Sequence, residues 1–139
     1  MVNSSKISGA VAVVGGGITG IQSALDLAGM GYKVFLIEKK PAIGGYMAML
    51  DKTFPTNDCS LCILSPKLVE CGRHKDIEIL ACAELMAIEG QAGNFTLRIR
   101  KHPRFVDEAK CTSCGDCAEK CPVRIPNEYE QGLSFRKAI

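Results

Sequence analysis

The sequence predicts an α/β protein: a parallel sheet with packed helices, followed by a short cysteine-rich arm. Two observations lead to this prediction. An apolar run of β-branched residues is followed at once by a glycine loop, a helical pattern and a second apolar run, all within residues 10–38. Closely spaced cysteines then occupy residues 111–121. We place the first domain at residues 8–102 and the cysteine-containing segment at residues 103–139.

The first strand is Ala10–Val14, whose wholly apolar sequence predicts a parallel strand buried on both faces. The loop Gly15–Gly20 fits the pattern G-x-G-x-x-G. In that pattern the first glycine makes a tight turn, the second lets a pyrophosphate approach the backbone, and the third packs the helix on the strand. A helical apolar pattern continues through residues 21–28 and ends near Gly29 and Gly31.

The second strand is Lys33–Glu38, and Glu38 follows the glycines at the distance where a carboxylate accepts hydrogen bonds from a ribose diol. These elements form the βαβ context of a Rossmann-like dinucleotide site, with a plain packing turn as the alternative. The pair Gly44–Gly45 is similar to one that flavoproteins place near the pyrophosphate, which favours FAD over NAD. The predicted cofactor-binding residues are Gly15, Gly16, Gly17, Ile18, Thr19, Gly20, Glu38, Lys39, Gly44 and Gly45.

The rest of the first domain is predicted to add one parallel strand and a hairpin. A helix with Ser65 as N-cap and Pro66 at its first position leads to a third strand at Ile77–Ala81. The alternating runs 83–89 and 94–100, joined by a glycine-bounded turn, predict a β-hairpin. Because doubly wound sheets usually have more parallel strands, we expect a partner chain or a continuation of the polypeptide to complete the fold.

The cysteine run matches C-x2-C-x2-C-x3-C-P, the spacing of bacterial ferredoxins. It predicts a [4Fe-4S] cluster with the ligands Cys111, Cys114, Cys117 and Cys121. In two-cluster ferredoxins the fourth cysteine of such a run binds the neighbouring cluster. A zinc knuckle or a disulfide pair is the alternative.

The other cysteines are interpreted in pairs. Cys59 and Cys62 form a C-x2-C between two prolines, and we predict them as further cluster ligands. A redox-active thiol pair and inert buried thiols are the alternatives. Cys71 and Cys82 are isolated and are predicted to be small buried hydrophobic residues. Neither a nucleophile nor an acid–base pair stands out, so no catalytic residue is predicted and the chemistry is assigned to cofactors.

Composition limits the class of protein. The 139 residues are 47% hydrophobic, enough for a core, and the net charge of +2 gives no reason to expect nucleic acid or an anionic membrane as partner. The polar segment 1–8 and the short apolar run after it argue against a signal peptide or a membrane span. We therefore expect a cytoplasmic protein, in which clustered cysteines among the eight are metal ligands rather than disulfides.

Four segments together resemble the A subunit of heterodisulfide reductase: GGGITGIQ, TFPTNDCSLCILSPKLVE, RKHPRFVDEAKCTSCGDCAEKCPV and PNEYEQGLSFRKAI. The resemblance extends from about Ala10 to Ile139. It implies an electron-transfer protein with a thioredoxin-reductase-like flavin domain into which a ferredoxin domain is inserted. Because members of that family are several times longer, it also implies an N-terminal portion or an unusually short relative, with an incomplete flavin domain.

The function implied by the resemblance is electron transfer between FAD and [4Fe-4S] clusters for a disulfide-reducing or related redox complex, associated in that family with electron bifurcation. The implied partners are other redox subunits in a hetero-oligomer, and the isolated chain is expected to be inactive as a reductase. Two other classes stay open. One is a non-catalytic iron–sulfur carrier whose glycine loop is only structural, and the other is a fragment of an NAD-binding dehydrogenase.

Overall fold

A computed structural model describes residues 9–91 and 93–139, so the polar segment 1–8, which argued against a signal peptide, lies outside the described residues. The chain divides into two compact units, one ending at His102 and the other spanning Pro103–Ile139. Over the described residues, no helix has the length and apolar character needed to cross a lipid bilayer.

The first unit is built on a three-stranded parallel sheet with the order β1-β2-β3. The strands are β1 Ala10–Val14, β2 Lys33–Ile37 and β3 Ile77–Leu80, and they are connected by the helices α1 Ile18–Gly29 and α2 Ser60–Arg73. Because all three strands run in the same direction, their carboxyl ends meet at one edge of the sheet. The predicted α/β class and the β–α–β order are confirmed.

The hydrophobic core lies between the sheet and the two helices. Apolar side chains spaced one turn apart on α1 pack against β2 and α2, as the helical pattern predicts. The buried members of this core are Ile21, Ala24, Leu25, Ala28, Val34, Leu36, Leu64, Cys71 and Ile77. Burying a large apolar side chain contributes about 1.5–3 kcal/mol, so this core fixes both helix N-termini beside the sheet edge.

The outer face of β1 is less covered than its sequence predicts. We expected burial on both faces, whereas its residues are half-buried or exposed and Val14 is 59% exposed. The reason is that both helices pack on the same face of the sheet, whereas the other face of β1 meets the hairpin of residues 83–101 across an apolar groove of about 640 Å³. Ile88 and Phe95 of the hairpin line this groove.

The predicted β-hairpin is confirmed. It consists of β4 Ala83–Gln91 and β5 Asn94–Lys101, which pair antiparallel with an irregularity after Leu85. The predicted turn includes Ala92, which lies outside the described residues.

The start of α2 differs from the prediction. We expected Ser65 as N-cap and Pro66 at the first position, whereas the helix begins at Ser60, has Cys59 as its N-cap and contains Pro66 in its interior. The buried Ser60 hydroxyl donates to the Met47 carbonyl (2.6 Å) and anchors the first turn. Tertiary contacts therefore extend the helix ahead of the proline, against the local sequence signal.

The second unit contains the short helix α3 Asp116–Lys120 and a hairpin of β6 Arg124–Pro126 and β7 Phe135–Lys137. The ammonium group of Lys137 donates to the carbonyl oxygen of Cys121 (2.6 Å). This bond ties the hairpin to the end of the cysteine run.

Candidate functional site

The glycine loop lies at the carboxyl edge of the sheet, between β1 and α1. The Gly15 N–H donates to the carbonyl of Ile37 at the end of β2 (2.8 Å), and Gly15 adopts a φ of 104° that favours glycine. A Cβ on Gly20 would overlap the Gly15 carbonyl oxygen. Only glycine at position 20 therefore lets α1 pack this closely on the loop.

Gly17 leaves an open space at the N-terminus of α1. No heavy atom lies within 4 Å of its Cβ position, and its φ of −75° is one that any residue adopts. Gly17 lines a cleft of about 500 Å³, together with Ile18, Thr19, Tyr46 and Met47. Bare glycine backbone at a helix N-terminus, opening onto a cleft, fits a pyrophosphate group, so these residues fit a dinucleotide cofactor.

The second glycine pair packs directly on the loop. The Gly44 N–H donates to the Gly16 carbonyl (2.7 Å). Gly45 has a φ of 58°, and a Cβ there would lie 2.9 Å from the Cα of Gly17. The 3-10 helix Gly45–Met49 that follows supplies the opposite wall of the cleft. The two glycine motifs, separate in the sequence, therefore form one structural unit.

Glu38 holds the glycine loop through both carboxylate oxygens. The residue is 7% exposed, Oε2 accepts from the Gly16 N–H (2.6 Å), and Oε1 accepts from the Lys40 N–H (2.8 Å). Sequence reasoning missed this role, because no pattern shows which backbone N–H groups face the end of β2. Carboxylate oxygens have further acceptor capacity, so the ribose role of Glu38 stays a prediction.

Two lysines follow Glu38. Lys39, also a predicted cofactor-binding residue, is exposed. The ammonium group of Lys40 lies 5.5 Å from the centroid of the ring of Tyr46, a residue that lines the cleft. The two cations therefore have different surroundings, and Lys40 is the one in contact with a cleft residue.

The cysteine run extends over a loop and α3. Cys111 and Cys114 lie in the loop, Cys117 lies in α3, and Cys121 is the C-cap residue of that helix. All four are free thiols, and the first three are exposed. Within residues 9–91 and 93–139, the structure does not gather three or more metal-ligating side chains into one group. The four cysteines nevertheless fit a [4Fe-4S] cluster by their chemistry, because such a cluster is held by four cysteine thiolates.

Cys121 has surroundings that the other three cysteines lack. Hydrogen bonding with the backbone at Val123 is the main cause that lowers the pKa of its thiol, and the Lys137 ammonium acts in the same direction. A lower pKa favours the thiolate, the form that ligates iron. No sequence pattern indicated this contribution of the C-terminal hairpin.

Cys59 and Cys62, which we predicted as cluster ligands, are joined to each other by a disulfide. Their Cα atoms lie 5.2 Å apart, within the range that a disulfide spans. In this form neither sulfur is a thiolate, and ligation of a cluster by the reduced pair stays a prediction. Cys71 and Cys82 are buried as predicted, and burial, followed by the charge of Glu70, raises the pKa of the Cys71 thiol.

Comparison with known families assigns both units. Residues 10–102 match the model of FAD dependent oxidoreductases, and residues 104–126 match the 4Fe-4S binding domain. The predicted cofactors, FAD and a [4Fe-4S] cluster, are therefore confirmed. The crystal structure of L-proline dehydrogenase from P. horikoshii superposes with a TM-score of 0.54 at 23% identity, covering 67% of this chain and 20% of that chain. This likeness supports the fold.

Curated relatives agree with the resemblance of the motifs. An iron-sulfur A subunit of the CoB–CoM heterodisulfide reductase of Methanopyrus kandleri is 59% identical over 127 residues. The corresponding A subunit of Methanocaldococcus jannaschii is 56% identical. The A subunit of the H(2):CoB-CoM heterodisulfide,ferredoxin reductase of Methanothermobacter marburgensis is 52% identical.

Each of these matches covers 91% of this chain and 19% of the relative. The chain thus spans about a fifth of the length of the curated relatives it matches. The predicted resemblance to heterodisulfide reductase A subunits is confirmed over that part. Together with the family match over residues 10–102, this shows that the chain belongs to the FAD dependent oxidoreductases.

Proposed function

We propose that this chain holds FAD and a [4Fe-4S] cluster and transfers electrons between them, as part of a heterodisulfide-reductase-like complex. One observation carries the proposal: an open glycine cleft with a carboxylate-held loop lies on the same chain as a ferredoxin-type cysteine run. Other redox subunits as partners, a hetero-oligomer, a disulfide-reducing activity of the whole complex and a cytoplasmic location belong to the same proposal.

At the flavin site the chain supplies mainly backbone. The loop Gly15–Gly20 offers N–H groups and the α1 N-terminus to the pyrophosphate, with Ile18 and Thr19 in the first turn. Glu38 holds the loop and offers its remaining acceptor capacity to a ribose, beside the exposed Lys39. Gly44–Gly45 keeps the opposite wall close. When bound, FAD exchanges an electron pair and the cluster exchanges single electrons.

At the cluster site the chain supplies Cys111, Cys114, Cys117 and Cys121 as thiolates. The backbone near Val123 and the Lys137 ammonium favour the thiolate of Cys121. Removing Lys137 is therefore expected to affect the fourth ligand without touching the other three. Because the fourth cysteine of such runs often binds a neighbouring cluster, Cys121 is the ligand through which a second cluster would join the site.

The test is an anaerobic reduction of the chain loaded with FAD and iron–sulfide. Photoreduction of the flavin should bleach its visible absorbance and produce the electron paramagnetic resonance signal of a reduced cluster. Cys114→Ser should remove or alter that signal while flavin bleaching continues, and the neighbouring Thr112→Ser is the matched control. Bleaching with no cluster signal in the wild type would contradict electron transfer. A reducible cluster without bound flavin would favour the carrier alternative.

A further inference from the structure

Among the described residues, none that lines the cleft at the glycine loop carries a charge. The polar side chains of the lining are the hydroxyls of Thr19, Ser23 and Tyr46. Beside the loop, the buried carboxylate of Glu38 brings a negative charge to the Gly16 N–H (2.6 Å). The pyrophosphate of a dinucleotide adds negative charge of its own. Because the N-terminus of α1 offers only about half an elementary positive charge, a pyrophosphate in this cleft needs a cation nearby.

Lys40 is a cation whose backbone is fixed beside the loop. Its N–H donates to Oε1 of Glu38 (2.8 Å), and its carbonyl accepts from the N–H of the buried Cys82 (3.0 Å). The other oxygen of the same carboxylate, Oε2, accepts from the Gly16 N–H. One carboxylate therefore ties Lys40 to the glycine loop, and the side chain of Lys40 starts from a fixed point.

Tyr46 connects the ammonium group of Lys40 with the cleft. Tyr46 lines the cleft, and Nζ of Lys40 lies 5.5 Å from the centroid of its ring, within the range of cation–π attraction. The bond from the Gly44 N–H to the Gly16 carbonyl (2.7 Å) holds the start of the 3-10 helix that carries Tyr46. Tyr46 is 77% exposed and Lys40 is half-buried, so a ligand in the cleft can reach the ring and its cation.

We propose that Lys40, held on the ring of Tyr46, supplies the positive charge that offsets the pyrophosphate of FAD in this cleft. Tyr46 is the positioning residue. Because its ring already restricts the Lys40 side chain in the ligand-free chain, less conformational entropy is lost when the ligand binds. A ligand that covers the ring also excludes water from the pair, which strengthens the attraction between ring and cation. This role of Lys40 rests on the proposed function, because it requires FAD in the cleft.

The affinity for FAD and its dependence on salt test the role of Lys40. FAD is titrated with the full chain, and the anisotropy of its fluorescence is followed at low and high NaCl concentration. Lys40→Met should weaken binding by about threefold to tenfold, and Lys40→Arg should keep most of the affinity. The difference between the wild type and Lys40→Met should shrink at high salt, because salt screens the attraction between the ammonium and the pyrophosphate.

Lys33 provides a matched control. Its ammonium group also lies near an aromatic ring, 5.7 Å from the centroid of Phe35. Lys33 is the first residue of β2, however, whereas the cleft lies at the carboxyl edge of the sheet. Lys33→Met should therefore leave the affinity for FAD unchanged.

Variants of Tyr46 test whether the ring positions the cation. Tyr46→Phe keeps the ring and should keep the affinity, whereas Tyr46→Leu should weaken binding as much as Lys40→Met does. Because ring and cation act as one unit, the double variant should bind FAD about as weakly as either single variant.

Unchanged affinity in Lys40→Met, with FAD bound by the wild type, would overturn the role of Lys40. An equal difference at both salt concentrations would overturn it as well, since a merely structural contribution of the side chain is not screened. Additive effects of the two substitutions would overturn the role of Tyr46. A wild type that binds no FAD would instead refute the proposed function itself.

Discussion

Replacing Glu38 separates the stability of the glycine loop from ligand binding. In Glu38→Ala both charge-assisted hydrogen bonds, from the N–H groups of Gly16 and Lys40, are lost, and the N–H of the buried Gly16 loses its acceptor. Each such bond contributes about 1.5–3 kcal/mol. Two effects offset part of this loss. Water can accept a hydrogen bond from the N–H of the half-buried Lys40, and the variant no longer carries the desolvation cost of the buried carboxylate. We therefore expect the ligand-free variant to lose about 2–4 kcal/mol of unfolding free energy.

Glu38→Gln refines this expectation. A glutamine keeps one acceptor oxygen for the Gly16 N–H and places its NH2 group towards Lys40, whose N–H then hydrogen-bonds to water instead. We therefore expect the free energy of unfolding to fall by about 1–2 kcal/mol. The exposed Lys39→Ala is the control and should leave stability unchanged. The assay is urea unfolding followed by far-ultraviolet circular dichroism, without flavin. If Glu38→Ala were as stable as the wild type, the carboxylate would not hold the loop.

Three further predictions concern single groups. Gly20→Ala should destabilise the first unit, because a Cβ at position 20 overlaps the Gly15 carbonyl oxygen. Gly29→Ala is the control and should not destabilise it, because no heavy atom lies within 4 Å of the Cβ position of Gly29; thermal unfolding of both variants is the measurement. Burial raises the pKa of the Cys71 thiol above its ordinary 9.0, so the contribution of the buried thiol to stability is complete below pH 9.0 and is lost as the pH rises from there through the raised pKa. The free energy of unfolding of the wild type, measured in urea, should therefore fall more steeply above pH 9.0 than that of Cys71→Ala. Lys137→Met should keep the hairpin of β6 and β7 folded but make any bound cluster more labile, because the bond to the Cys121 carbonyl is lost. The measurement is the rate at which iron is released to a chelator, and an unchanged rate would contradict the link between Lys137 and Cys121.

The βαβ unit was predictable because its signals are local. The apolar run of β1, the glycines of the loop and the one-turn spacing of Ile21, Ala24 and Leu25 each act within a few residues. The ferredoxin spacing of the cysteine run is local in the same sense. These features identified the fold class, a dinucleotide site and the cluster, while the pair Gly44–Gly45 and the family resemblance favoured FAD as the dinucleotide.

The errors arose where tertiary contacts decide. Pro66 indicated a helix start, but the bond from Ser60 to Met47 begins α2 six residues earlier. β1 was predicted to be covered on both faces, because its sequence does not reveal that α1 and α2 pack on the same face of the sheet. The double role of Glu38 depends on Gly16, 22 positions away, and a motif names the residue without naming its partner.

The central claim is that FAD and the cluster occupy separate sites on this chain, and one measurement tests it directly. Flavin, iron and acid-labile sulfide are determined per chain after anaerobic reconstitution of the wild type, Gly17→Val and Cys114→Ser. Gly29→Val, at the other end of α1, is the control for the glycine change. We predict that Gly17→Val loses flavin and keeps iron, and that Cys114→Ser loses or converts the cluster and keeps flavin. Unchanged flavin in Gly17→Val, or stoichiometric zinc in place of iron and sulfide, would contradict the account.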